Sequence, residues 1–95
     1  MTGQQIKDLV QEYSRTLLRP AGDPEQYPLN KRVSISEIVM DGEAQREVDK
    51  HILWMCRNMP KDDEAKINRW LGFIQGAIWS FGARSINELR KENIG

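Results

Sequence analysis

The side chains of this 95-residue chain that could do acid–base, nucleophilic or metal chemistry are few. His51 is the only histidine, and Glu47 lies four residues before it, on the same face of a helix. The pair could supply two metal ligands, but a stable metal site needs more ligands than one helix face presents. We therefore expect a partly exposed histidine that pairs with Glu47.

The remaining reactive residues do not combine into a catalytic site. Cys56, the only cysteine, has no neighbouring base in the sequence and lies beside an apolar stripe, so we expect a small buried hydrophobe. Asp62, Asp63 and Glu64 form an acidic cluster at the start of a predicted helix, where carboxylates stabilise the helix dipole. Because acid, base and nucleophile do not converge, we predict that the protein is not an enzyme and uses no cofactor or metal.

Charge is spread evenly along the chain. Fourteen basic and fourteen acidic residues cancel without any block of like charge, which argues against nucleic acid or anionic lipid as a partner. Apolar residues make up 39% and charged residues 29%, a balance typical of folded globular proteins. Residues 2–13 show no apolar signal core after a basic start, so we expect that the protein is not exported, and no apolar run reaches the about 20 residues of a membrane span. We expect a soluble protein of the cytoplasm.

The spacing of apolar residues predicts an all-α fold: one domain over 1–95, built as a small bundle of three main helices and a short C-terminal helix. The predicted helices cover about 4–19, 42–58, 62–82 and 86–93. Thr2 caps the first helix and Pro20 ends it, Asp62 caps the third, and Ser85 with Glu88 forms a capping box for the last. The second and third helices should form an antiparallel hairpin, since their connection is short.

A proline-rich connector follows the first predicted helix. Residues 20–31 contain three prolines and a glycine, a composition typical of a loop. We expect Tyr27 and Leu29 to pin this connector onto the core.

The pattern over residues 32–41 is ambiguous. Val33 and Ile35 alternate with serines as in a strand, whereas Ser34 followed by Glu37 is typical of a helix capping box. No other stretch of the chain offers a partner strand. We therefore expect a short helix or an extended connector there.

The third predicted helix is apolar on two faces. One face should form the core with the first two helices, through Trp70, Leu71, Ile74, Ile78 and Phe81 against Leu9, Val10, Tyr13, Val48, Ile52 and Met55. The opposite face holds Gly72, Gly76 and Ser80 in one column, flanked by Phe73 and Trp79. Glycine inside a helix costs roughly 1 kcal/mol relative to alanine, so two in register indicate that another backbone comes close. That backbone belongs either to the same chain, from the connector or the last helix, or to another chain.

Apolar surface beyond the needs of one core indicates an interface. Leu53 and Trp54 should add to it from the outer sides of the second helix, and Gln75 should hydrogen-bond across it. Arg69 and Arg84 are candidates for contact with a ligand or an anion. Together with the aromatic walls of the column, they leave open a nucleotide-like ligand at a subunit interface.

A resemblance lies in the last third of the chain. Residues 69–76 (RWLGFIQG), Trp79 and residues 86–90 (INELR), with residues 51–55 (HILWM) adding to them, resemble a segment of small uncharacterised accessory proteins of tailed bacteriophages. The resemblance implies a phage or prophage product in the bacterial cytoplasm, and it implies no reaction. We expect a homo-oligomer that binds a host or phage protein. A small-molecule binder and a small virion or assembly component are the alternatives.

Overall fold

Four helices form a bundle in the described part of the chain. The computed structural model describes residues 1–33, Ser36, Met40 and residues 42–94, and it contains no strand among them. The helices are α1 (Gly3–Thr16), α2 (Gly42–Arg57), α3 (Glu64–Ser80) and α4 (Ile86–Ile94), with a 3-10 turn at Arg19–Ala21. Helices α1, α2 and α3 each pack against the other two. This confirms the predicted all-α bundle, in which α2 and α3 form the antiparallel hairpin.

Part of the ambiguous segment lies outside the described residues. These are Ser34, Ile35, Glu37, Ile38, Val39 and Asp41, and the predicted capping box of Ser34 and Glu37 falls among them.

Local capping starts α1 as predicted, but the helix ends earlier than expected. The Thr2 hydroxyl accepts a hydrogen bond from the Gln5 N–H at 3.1 Å, and the Gln5 side chain accepts one from the Thr2 N–H at 2.8 Å. The helix stops at Thr16, not near residue 19. Pro20 has no N–H to donate to the Thr16 carbonyl, and the 3-10 turn at Arg19–Ala21 carries the chain back over the bundle.

Helix α3 begins with a cap one residue later than predicted. The cap is Asp63, not Asp62, and its carboxylate accepts a hydrogen bond from the Lys66 N–H at 3.0 Å. The helix ends in a Schellman motif at the predicted glycine: Gly82 has φ 78°, which a left-handed cap requires, and its N–H donates to the Trp79 carbonyl at 3.0 Å. The Ala83 N–H completes the motif with the Ile78 carbonyl at 3.1 Å.

The core lies between α1, α2 and α3, and α2 contributes residues from two of its faces. The buried apolar residues are Ile6, Val10, Tyr13, Leu18, Ile52, Leu53, Met55, Cys56, Ile67, Leu71, Ile74 and Ile78. Leu53 is only 1% exposed, so its predicted place at an outer interface is wrong. Because α2 packs on both α1 and α3, its buried arc is wider than a single stripe and includes Leu53 and Cys56. Trp70 and Phe81, predicted in the core, are only partly buried.

Candidate functional site

The outer face of α3, formed by Gly72, Phe73, Gly76, Trp79 and Ser80, is exposed to solvent. Phe73 is 58% exposed and Trp79 is 53% exposed. Apart from its chain neighbours and the adjacent backbone of α3, a Cβ atom added to Gly72 or Gly76 would meet no heavy atom of the described residues within 4 Å. Neither α4 nor the described part of the connector therefore covers the column at Gly72 or Gly76.

This outer face also carries no formal charge. No charged residue occurs between Arg69 and Arg84, a stretch that includes the whole outer face. The Ser80 hydroxyl donates to the Ala77 carbonyl of its own helix at 2.8 Å, so it is not left unsatisfied. The face is thus suited to contact with another apolar surface.

Gln75 lies on the opposite flank of α3, and its predicted role at an interface is wrong. Its side chain is 7% exposed and donates hydrogen bonds to the Tyr13 hydroxyl at 3.1 Å and to the Asn93 side chain at 2.7 Å. The Asn93 amide donates back to Gln75 at 3.1 Å. The hydrogen bonds of the Gln75 side chain are made within the chain because α4 packs on this flank of α3.

Arg84 belongs to the same intramolecular network. Its guanidinium pairs with Glu92 at 3.0 Å, and Glu92 also accepts a hydrogen bond from the Tyr13 hydroxyl at 2.8 Å. Burial raises the pKa of Tyr13 well above its usual value, so the hydroxyl keeps its proton and remains a donor. Arg84 is thus engaged within the chain instead of contacting an outside anion, whereas Arg69 is exposed on α3. Of the two basic groups expected to contact a nucleotide-like ligand, Arg69 is exposed but Arg84 is paired with Glu92.

Trp54 and His51 pack against each other beside α3. Their rings stack with centroids 6.0 Å apart, and Trp54 also contacts Trp70 with centroids 6.2 Å apart. Trp54 is half-buried by these contacts instead of projecting freely. The partner predicted for His51 was Glu47. In the structure, the His51 Nδ1 instead accepts a hydrogen bond from the Tyr27 N–H at 3.0 Å.

A cleft of about 400 Å³ lies between the connector, α2 and α3, and we call it the connector cleft. Its walls are Tyr27, Pro28, Leu29, Lys31, Val33, Val48, His51, Ile52, Phe73, Ala77, Ser80 and Phe81. Leu29 was expected to pin the connector onto the core, but it is 81% exposed at this cleft, while Tyr27 is half-buried. Sequence reasoning missed the cleft, whose only local signal is the presence of apolar residues within the proline-rich connector.

Cys56 and the possible metal ligands are the remaining candidates for chemistry. Cys56 is buried, and burial raises the pKa of its thiol to about 12, which suppresses the nucleophilic thiolate. Within the described part of the chain, no group of three histidine, cysteine or acidic residues is placed to hold a metal ion. Nor is any helix in that part long and apolar enough to cross a membrane.

Comparison with protein families, with curated proteins and with solved structures gives no match. The geometry of the outer face of α3 is therefore the basis for a functional hypothesis.

Proposed function

We propose that this chain is a non-enzymatic binding protein that contacts other protein chains through the outer face of α3. The observation that supports this is the open column at Gly72 and Gly76 between two aromatic side chains that are each more than half exposed. Glycine within a helix and exposed aromatic surface are both unfavourable in an isolated domain. Both become favourable once a second backbone lies in the column.

The exposed aromatic area is large enough to anchor a partner. Phe73 and Trp79 are 58% and 53% exposed. Since large aromatic side chains bury about 150–250 Å² each, their exposed parts amount to roughly 200 Å² together. At about 25 cal/mol per Å², covering that area would contribute roughly 5 kcal/mol. Association itself costs on the order of 4–15 kcal/mol, so neighbouring surface must also take part.

A second copy of the chain is one partner that suits this surface. In a symmetric dimer the same patch lies on both sides of the interface, so a column of small residues would meet an identical column. The absence of charge between Arg69 and Arg84 means that two such faces would not repel each other. Homo-oligomerisation is therefore part of the proposal.

The resemblance of residues 69–76, Trp79 and residues 86–90 to phage accessory proteins supports a partner that is a host or phage protein. The site of action would then be the bacterial cytoplasm. A virion or assembly component would use the same face, and its presence in purified particles would identify that role.

A pair of leucine variants tests the proposal. Gly76→Leu places bulk in the column, and Gln4→Leu adds the same side chain to an exposed position of α1. We expect light scattering to give an oligomer for the wild type and for Gln4→Leu, and a monomer for Gly76→Leu. Protein partners that copurify from the native host should be lost with Gly76→Leu alone. Unchanged mass and unchanged partners in Gly76→Leu would refute the proposal.

A further inference from the structure

Apolar side chains that the fold leaves exposed line the connector cleft. Leu29, Val33 and Phe73 are among the large apolar side chains that remain exposed, and all three line this cleft. Buried Ile52 and half-buried Phe81 form its apolar base. The volume of about 400 Å³ falls in the range of small-molecule sites, roughly 300–1,000 Å³. The cleft is thus large enough for the apolar body of one small molecule.

Charge at the cleft is one-sided. Lys31 is the only residue with a full charge among the described lining residues, and no carboxylate lies among them. Its ammonium group lies 5.5 Å from the centre of the Tyr27 ring, and the described residues give it no ion-pair partner. Glu25 and Glu47 lie outside the cleft, in a neighbouring pocket of about 190 Å³ that Lys31 also borders. A negative group at the mouth of the cleft would therefore be favoured over a positive one.

His51 supplies a second donor in the wall of the cleft. Its Nδ1 accepts the hydrogen bond from the Tyr27 N–H, so the proton of the neutral ring is on Nε2. Burial lowers the pKa of His51, which keeps the ring neutral near pH 7. The Nε2–H makes no hydrogen bond within the described part of the chain.

We propose that the connector cleft binds a small carboxylate with an apolar tail, of the medium-chain fatty acid class. The tail lies against Leu29, Phe73 and Ile52, and the carboxylate lies at Lys31. The cleft shares Phe73 and Ser80 with the outer face of α3, whereas Gly72, Gly76 and Trp79 do not line it. Substitutions at Gly76 and at Ala77 therefore test the protein contact and the small-molecule site separately.

Calorimetric titration with hexanoate, octanoate and octan-1-ol tests the class of ligand. A buried tail should increase the affinity from hexanoate to octanoate by up to about fourfold per methylene group. Because Lys31 is exposed, the carboxylate should improve the affinity over the alcohol by only about two- to fivefold. Lys31→Gln should abolish this difference, while Lys66→Gln, which changes an exposed lysine of α3 outside the cleft, should leave it intact.

Bulk in the wall tests the position of the tail. Ala77→Leu narrows the cleft and should weaken octanoate binding at least tenfold, whereas Ala65→Leu adds the same bulk to an exposed part of α3 and should have no effect. Melting curves establish that both variants are folded. Gly76→Leu should bind octanoate as the wild type does, even where it no longer binds a protein partner.

Absence of saturable octanoate binding to the wild type would overturn the proposal. Equal affinity for octanoate and octan-1-ol would contradict the proposed contact between an anionic head group and Lys31. Binding that is insensitive to Ala77→Leu would place the ligand elsewhere on the chain.

Discussion

Replacing Gly76 by alanine should stabilise the free monomer. Gly76 lies inside α3, its φ is not positive, and beyond the adjacent residues of the helix an added Cβ would meet no described atom within 4 Å. Nothing therefore opposes the intrinsic preference of alanine for the helix, which is roughly 0.8–1.0 kcal/mol per residue. In a domain of this size, a gain of about 1 kcal/mol should raise the melting temperature by about 4–8 °C.

The measurement is urea unfolding followed by circular dichroism, at concentrations where light scattering shows a monomer. Gly82→Ala is the matched control, because Gly82 is also free of close contacts but has φ 78°. Alanine is strained in that conformation, so Gly82→Ala should lower the free energy of unfolding by about 1 kcal/mol or more. Opposite signs for the two variants would support the geometry described here. A monomeric Gly76→Ala that is less stable than the wild type would refute it, since some segment of the same chain would then occupy the column.

Four further predictions follow from the same geometry. Ile74→Ala removes a fully buried side chain and should reduce the free energy of unfolding by about 2–5 kcal/mol in urea titrations; an equally stable variant would mean that the core face is wrongly assigned. Cys56, with its buried thiol of pKa about 12, should not react with a thiol reagent at about pH 8 until the protein is denatured, and rapid labelling of the native protein would contradict its burial. The pKa of His51 is lowered from 6.5 by burial, so the unfolded chain takes up the proton first as pH falls. The contribution of His51 to stability should accordingly be constant above about pH 6.5 and decrease as pH falls from there to the lower folded pKa, with the hydrogen bond from the Tyr27 N–H lost on protonation; His51→Gln should remove this acid-side dependence in denaturation curves. Gln75→Leu breaks the hydrogen bonds to α4 and should cost about 1 kcal/mol, with faster amide exchange confined to α4; uniform exchange across the chain would argue against the network.

The helices and most of their ends follow from short-range chemistry. The capping pair of Thr2 and Gln5 lies within one turn, as does the Ser85–Glu88 capping box, in which the Ser85 N–H and the Glu88 N–H each donate to the other residue's side chain at 3.0 and 3.1 Å. Gly82 ends α3 through its own backbone conformation. Such interactions depend on neighbours within a few residues, so the sequence pattern is sufficient to predict them.

The open column on α3 was also predictable in part. The helical period alone places Gly72, Gly76 and Ser80 on the side opposite Ile74 and Ile78, and the structure has these three residues exposed and those two buried. The periodicity could not tell whether another segment of the chain covers the column, because that depends on where α4 and the connector return. In the described structure neither covers Gly72 or Gly76.

Only the tertiary structure decided which residues outside the main apolar stripes are buried and which partners the polar side chains have. Leu53 is buried because α2 packs on both α1 and α3. Gln75 and Arg84 are satisfied within the chain because α4 returns to α3 and α1. His51 accepts a hydrogen bond from Tyr27, 24 residues away in sequence, and the same approach of the connector to α2 creates the cleft. These contacts join segments that are distant in the sequence, and a one-dimensional pattern of apolar and polar residues does not state which distant segments meet.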